Sequence, residues 1–143
     1  MNHPATFPPH NQSVVTMAGR ELQRECHAAS FHAGWWHFGA NNLADECQSR
    51  SRFGLAVAAE KIALIHSEVS EALEGIRKNK QDEHLPHRKS VEVELADAVI
   101  RIADLAGALG LDLGGAIAEK MAYNAQRADH KPEARAAAGG KAF

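Results

Sequence analysis

The sequence has few cysteines and no long apolar run, and each shortage argues against a class of protein. Its two cysteines, Cys26 and Cys47, form neither a disulfide framework nor a zinc pattern, which favours a cytoplasmic protein with reduced thiols. No apolar run reaches the length that crosses a bilayer, and residues 1–10 lack the charged and apolar regions of a signal peptide. The formal net charge of −2 gives no reason to expect nucleic-acid or membrane binding.

A convincing strand pattern is also missing, which favours an all-α fold. Helical periodicity predicts long helices at about residues 13–33, 53–78, 90–110 and 113–129. The stretch at residues 34–50 is rich in glycine, asparagine and aromatic residues, and predicts a loop. We expect an antiparallel bundle of four to five helices at residues 13–130, completed by oligomerisation. A flexible N-terminal arm at residues 1–12 and a flexible C-terminal tail at residues 131–143 would flank it.

Two pairs of acidic residues dominate the middle of the chain. Glu68 and Glu71 lie three residues apart on one predicted helix, and Glu94 and Asp97 have the same spacing on the next. At about 100° per residue, each pair lies on the same-handed shoulder of an apolar seam. The two seams are Ile62, Ile65, Val69, Ala72 and Ile76 in the first helix, and Val91, Leu95, Ala98, Ile102 and Leu109 in the second.

Antiparallel packing of these two helices would bring the four carboxylates together. Same-handed shoulders fall on one side of an antiparallel pair, and each acidic pair lies about two turns from the connector. Close carboxylates repel one another unless cations lie among them, and hard oxygen ligands suit Mg²⁺ or Mn²⁺. The pattern therefore predicts Glu68, Glu71, Glu94 and Asp97 as metal ligands; a solvated helix face is the alternative. Asp104 continues the second shoulder; we expect it to be solvated, with contact to an additional metal ion as the alternative.

The acidic quartet resembles the motif of the all-α nucleoside triphosphate pyrophosphohydrolases, the MazG-like superfamily. That motif has two acids three apart, a spacer of some two dozen residues, and then Glu and Asp three apart. Many members carry a further acid where this chain has Ser67, which is a departure from the pattern. Near the C-terminal end, Lys120, Asn124 and Arg127 match a lysine, an asparagine and an arginine of the family. The resemblance covers roughly residues 53–130.

The resemblance implies hydrolysis of a (deoxy)nucleoside triphosphate to a nucleoside monophosphate and pyrophosphate. It implies Mg²⁺ ions at the quartet. Among the four carboxylates, we take Glu68 as the acceptor of the proton of the attacking water. The resemblance also implies a homodimer or homotetramer, since family members complete each helical core with a second subunit. The Ala-rich seams agree with such an assembly, because helices of this kind bury little apolar surface on their own.

Four further residues are candidates for contact with substrate phosphates. Lys120, Asn124 and Arg127 share one face of the last predicted helix within roughly 60°. A buried Asn124 is either a structural hydrogen-bonding group or a ligand, and Arg127 is alternatively a cation that stabilises the helix dipole. Lys61 lies on the shoulder of Glu68, where it either reaches a phosphate or pairs with a carboxylate.

Both tryptophans, Trp35 and Trp36, lie in the predicted loop. Two adjacent large rings usually anchor a core, whereas an exposed ring can stack on a nucleobase. We take Trp36 as the candidate for base stacking, with core anchoring as the alternative.

Two other classes of protein collect acidic side chains on helices. A di-iron carboxylate bundle uses Glu-x-x-His ligands, which no predicted helix of this sequence carries. A non-enzymatic metal-binding or regulatory oligomer of the same fold would keep the metal ligands without turnover. Release of pyrophosphate from a nucleoside triphosphate would distinguish a pyrophosphohydrolase from both.

Overall fold

The structure is a computed structural model that describes residues 11–139, and it is mainly helical. Its helices are α1 (Gln12–His32), α2 (Leu43–Ser49), α3 (Arg52–Lys78), α4 (Ser90–Ala108), α5 (Leu113–Gln126) and α6 (Pro132–Ala136), with a 3₁₀ helix at Ala128–His130. Strands β1 (His37–Phe38) and β2 (Asn41–Asn42) pair as a short antiparallel hairpin. The predicted all-α class is confirmed, although the small hairpin was not predicted.

The chain divides into two compact units. One unit is Glu21–Asp112, which holds the hairpin, α2, α3 and α4. Of the described residues, the other combines 11–20 with 113–139, and it holds α5 and α6. Within residues 11–139, no helix has both the length and the apolar character needed to cross a membrane.

The predicted arm and tail are only partly covered by the described residues. Residues 1–10 of the arm and residues 140–143 of the tail lie outside them. In the covered parts, α1 begins at Gln12 and the short helix α6 occupies Pro132–Ala136. The flexibility of both segments stays a prediction.

The stretch at residues 34–50, predicted as a loop, contains the hairpin and the helix α2. The Asn42 side chain starts α2 by accepting a hydrogen bond from the Ala44 backbone N–H at 3.0 Å. Asp45 and Glu46 lie in the first turn, where negative charge is favourable. A helix of 7 residues is too short for its periodicity to stand out, so the sequence pattern indicated only a loop.

The core of the Glu21–Asp112 unit forms where the segment around Trp36 packs against α2, α3 and α4. Its buried members are Trp36, Ala44, Cys47, Val57, Leu105 and Ala108. Ser51 caps α3 by accepting a hydrogen bond from the Gly54 backbone N–H at 2.9 Å. A Cβ at position 54 would lie 1.9 Å from the Glu46 carbonyl oxygen, so only glycine permits this approach. Helices α2 and α3 therefore pack with their backbones close together.

Contacts along α3 and α4 show that these two helices run antiparallel. Gly75, near the end of α3, faces the start of α4, where a Cβ on it would lie 2.9 Å from a backbone nitrogen. Two turns earlier on α3, Glu68 pairs with Arg101 of α4. Val57, near the start of α3, joins Leu105, near the end of α4, in the core. This is the relative direction that convergence of the acidic pairs requires.

The larger side chains of the two predicted apolar seams are mostly exposed in the single chain. Ile76 of α3 is 62% exposed and Leu95 of α4 is 52% exposed, whereas the seam residues Ala72 and Ala98 are buried. The buried residues of α3 are Gly54, Val57, Glu68, Ala72 and Gly75, of which only Ala72 belongs to the seam. Close packing at the small residues leaves the larger seam side chains outside the contact between the helices.

Candidate functional site

Helices α3 and α4 bring three of the four predicted acidic ligands together. Glu68, Glu94 and Asp97 each offer one carboxylate oxygen, and these oxygens all lie within 4.8 Å of one another. Glu68 is buried, with 7% of its surface exposed, and Glu94 is half-buried. Oxygen atoms at this spacing can share one metal ion. We call these three residues the acidic triad.

Glu71 lies beside the acidic triad without belonging to it. All four residues line a cavity of about 550 Å³, which we call the acidic cavity. The charged residues that line it are Glu68, Glu71, Lys80, Asp82, Glu83, Glu94, Asp97 and Arg101. The sequence therefore predicted the four acids of one cavity correctly, and the structure groups three of them more tightly than the fourth.

The electrostatics of the acidic cavity oppose the ionisation of two of its members. Burial raises the pKa of Glu94, and the negative charges of Glu71 and Glu68 raise it further. Burial also raises the pKa of Asp97, as does Glu68, whereas the Arg101 guanidinium acts in the opposite direction. A cation among these carboxylates would relieve their repulsion. The donor set, which consists of carboxylate oxygens, fits a hard divalent ion.

Arg101 is a residue of this site that the sequence interpretation missed. Its Nε donates a hydrogen bond to Glu68 Oε1 at 2.7 Å, so one carboxylate of the triad already has a cationic partner. Arg101 follows Asp97 by four residues and Glu94 by seven, which places all three on one face of α4. That spacing was the signal that could have identified it.

The connector between α3 and α4 contributes Asp82 to the acidic cavity. Its Oδ1 accepts hydrogen bonds from the backbone N–H groups of His84 and Leu85, at 3.0 and 2.7 Å. The side chain is thus held by the turn that it starts. An irregular connector has no periodicity, so the sequence offered no signal for this residue.

A second cavity, of about 450 Å³, shares Asp97 and Arg101 with the acidic cavity. We call it the mixed cavity, because its other lining residues are both polar and apolar: Ser30, Trp35, Glu60, Lys61, Leu64, Ile100 and Asp104. Lys61, a predicted phosphate contact, donates from Nζ to the Trp35 carbonyl oxygen at 3.4 Å. The same Nζ lies 4.6 Å from the centroid of the Trp36 ring, a cation–π contact.

Trp36, the predicted base-stacking residue, is a core residue in this structure. Its ring is 0% exposed, and its Nε1 donates a hydrogen bond to Asp104 Oδ1 at 2.7 Å. A base stacks only on an accessible ring face, so this environment fits the core-anchor alternative and not base stacking. Asp104 was expected to be solvated, and that expectation was wrong. Asp104 is buried. It accepts a hydrogen bond from Trp36, and its Oδ1 lies 2.8 Å from His27 Nδ1.

Lys120, Asn124 and Arg127 belong to the other unit, on α5 and directly after it. The Lys120 Nζ lies 4.7 Å from the centroid of the Tyr123 ring, and Arg127 pairs with Asp129 at 2.6 Å. The Asn124 Oδ1 is buried and accepts no hydrogen bond from any residue that the structure describes. The structural role considered for Asn124 is therefore not fulfilled at that oxygen. Phosphate binding by these three residues stays a prediction.

No protein-family model, curated protein or solved structure matches this chain. The geometry of the acidic triad is therefore the structural basis for a functional proposal, and the resemblance in its sequence motif supplies the reaction class.

Proposed function

We propose that this protein is a metal-dependent (deoxy)nucleoside triphosphate pyrophosphohydrolase of the MazG-like class. It would convert its substrate to a nucleoside monophosphate and pyrophosphate. The observation that carries the proposal is the convergence of Glu68, Glu94 and Asp97 in a cavity that Glu71 also lines. These four residues are the ones that match the family motif, and the choice of products rests on that resemblance.

The acidic triad would hold the divalent ion, Mg²⁺ or Mn²⁺, with Glu71 beside it. When bound, the ion neutralises negative charge on the triphosphate and lowers the pKa of the attacking water. Glu68 is the proposed acceptor of the proton of that water. Arg101 fixes the position of this carboxylate, because its Nε donates a hydrogen bond to Oε1.

Cationic side chains would orient the triphosphate. Arg101 and Lys61 both line the mixed cavity, and Arg101 lines the acidic cavity as well, so they can pair with phosphate oxygens where the cavities join. On the basis of the resemblance, Lys120 and Arg127 would stabilise charge on the leaving pyrophosphate. Asn124, whose Oδ1 is buried without a partner in the described chain, would contribute a further hydrogen bond to the substrate.

The proposal includes a homodimer or homotetramer in which a second subunit completes the antiparallel helical bundle. Helices α3 and α4 expose rows of apolar side chains: Ile62, Val69, Leu73, Ile76, Leu95, Val99 and Ile102. Burial of such rows against another subunit is favourable by about 25 cal/mol per Å² of apolar surface. The proposal also includes a cytoplasmic location, because both cysteines are free thiols in this fold.

Product analysis tests the proposal. The protein is incubated with each common ribo- and deoxyribonucleoside triphosphate and Mg²⁺, and the products are separated by ion-exchange chromatography. We expect equal amounts of monophosphate and pyrophosphate, and no turnover in EDTA. Asp97→Ala should abolish turnover with nearly unchanged helical circular dichroism, whereas Asp45→Ala, at an exposed position of α2, should retain it.

Two other outcomes would change the assignment. Formation of a nucleoside diphosphate and phosphate would overturn the proposed products. Metal binding without turnover of any nucleotide would favour the non-enzymatic metal-binding or regulatory oligomer.

A further inference from the structure

We propose that the mixed cavity binds the nucleoside part of the substrate and that the Trp35 ring stacks on the base. This inference rests on the proposed function, and it names the part of the chain that would recognise the nucleoside.

The position of the mixed cavity is the first observation behind this inference. It shares Asp97 and Arg101 with the acidic cavity, so one ligand can occupy both. A triphosphate that extends from the acidic triad would pass Arg101 and place its remaining part in the mixed cavity. The volume of about 450 Å³ lies within the range of roughly 300–1,000 Å³ that is common for small-molecule sites.

The lining of the mixed cavity suits a nucleoside better than it suits phosphate alone. Leu64 and Ile100 give it an apolar part, whereas charged side chains dominate the acidic cavity. Ser30 and Glu60 add hydrogen-bonding groups, which can contact a base edge or sugar hydroxyls. Pockets that combine apolar walls with polar groups are typical of small-molecule sites.

Trp35 supplies the aromatic surface that a base requires. It lines the mixed cavity and is 69% exposed, in contrast to the fully buried Trp36. Its backbone is tied to α3, because the Lys61 Nζ donates to the Trp35 carbonyl oxygen at 3.4 Å. An accessible ring that is anchored in this way can stack on any base, since every base has a π-face.

Phe38 provides a matched control on the same segment. It is also 69% exposed, but it lies in strand β1 and is not among the residues that line the mixed cavity. Substitution of either exposed ring by alanine leaves the core residues in place. A difference between Trp35→Ala and Phe38→Ala would therefore report on the cavity and not on the loss of an exposed aromatic ring.

The experiment is isothermal titration calorimetry in Mg²⁺ with two kinds of probe. The first is the set of α,β-methylene analogues of the four common ribonucleoside triphosphates, and the second is inorganic tripolyphosphate, which has no base. Trp35→Ala should weaken binding of the preferred nucleotide analogue about ten- to a hundredfold and leave tripolyphosphate binding unchanged. Trp35→Phe should restore most of the lost affinity, and Phe38→Ala should bind both probes as the wild type does.

Three results would count against the inference, and they are distinguishable. Wild-type nucleotide affinity in Trp35→Ala would overturn the nucleoside site while leaving the proposed function intact. Equal losses for both probes would also overturn it, because the effect would then lie at the phosphates or in the fold. Failure of the wild type to bind either probe with Mg²⁺ would overturn the proposed function and this inference with it.

Discussion

Glu68 is a buried carboxylate whose negative charge is paired with one cationic side chain. The residue is 7% exposed, and its Oε1 accepts a hydrogen bond from Arg101. A buried carboxylate without a partner would be strongly destabilising, so this ion pair offsets part of the cost in the metal-free protein. A bound divalent ion would supply positive charge to the same carboxylate. The proposed site therefore contains one cationic side chain, Arg101 on α4, and its carboxylates can bind a metal ion as a second cation.

The raised pKa of Glu94 predicts a pH dependence of the free energy of unfolding. The folded protein holds the Glu94 proton to a higher pH than the unfolded chain does, because of burial and the nearby carboxylates. This contribution to the free energy of unfolding therefore decreases as the pH rises between the ordinary and the raised pKa. Without metal, Glu94→Gln should gain stability relative to the wild type across that interval and keep the gain above it.

Urea unfolding in EDTA at several pH values between about 4 and about 8 measures this difference. Glu92→Gln is the matched control, since Glu92 is an exposed acid on the same helix and pairs with Arg88. The control should show no such gain. A Glu94→Gln difference that is constant over this range, or that falls as the pH rises, would contradict the assigned electrostatics.

At the residue scale, the acidic quartet could be predicted and the tryptophans could not. The acids occupy helices, where a spacing of three residues fixes a shared face, so their convergence followed from the sequence. Trp35 and Trp36 are adjacent in a segment without periodicity, and nothing in their order showed which one is buried. In the structure Trp36 is the buried ring, and its indole N–H donates a hydrogen bond to Asp104 at 2.7 Å.

The contact between α2 and α3 depends on the absence of a side chain at Gly54. In helix α3, Gly54→Ala would improve the helix propensity by about 1 kcal/mol. The added Cβ, however, would lie 1.9 Å from the Glu46 carbonyl oxygen, which belongs to a backbone and cannot rotate away. We expect the steric conflict of the added Cβ to outweigh the gain in helix propensity. The free energy of unfolding should therefore decrease by about 1–3 kcal/mol.

Thermal unfolding distinguishes the two effects, because they change the melting temperature in opposite directions. Gly54→Ala should lower the melting temperature by several degrees, and Ala63→Gly, at an exposed position of α3, calibrates propensity alone at about 1 kcal/mol. A higher melting temperature for Gly54→Ala would show that α2 does not pack against α3 as described.

At the element scale, the length of each helix or strand determined whether the sequence could predict it. The long helices α1, α3, α4 and α5 were predicted to within a few residues, because each repeats its pattern over several turns. The short helix α2 and the hairpin were missed for lack of repeats. The direction of α3 relative to α4 was also correct. The larger side chains of their seams are mostly exposed, because the two helices pack at small residues such as Ala72 and Gly75.

At the scale of the whole molecule, the Glu21–Asp112 unit contains the acidic triad, Glu71 and the mixed cavity. The proposed metal site and the proposed nucleoside site therefore belong to one compact unit. Metal binding is the step on which both depend, because without an ion the triphosphate would meet a cavity lined by several carboxylates.

Titration with Mn²⁺, followed by electron paramagnetic resonance, tests this central claim most directly, because the signal of free Mn²⁺ is lost on binding. We predict that the wild type and Glu92→Gln bind Mn²⁺ equally well. Glu94→Gln, although more stable without metal, should bind it about 10- to 100-fold more weakly or worse, since it lacks a ligand of the triad. A wild type that binds no Mn²⁺, or a Glu94→Gln variant that binds it as tightly as the wild type, would contradict the account.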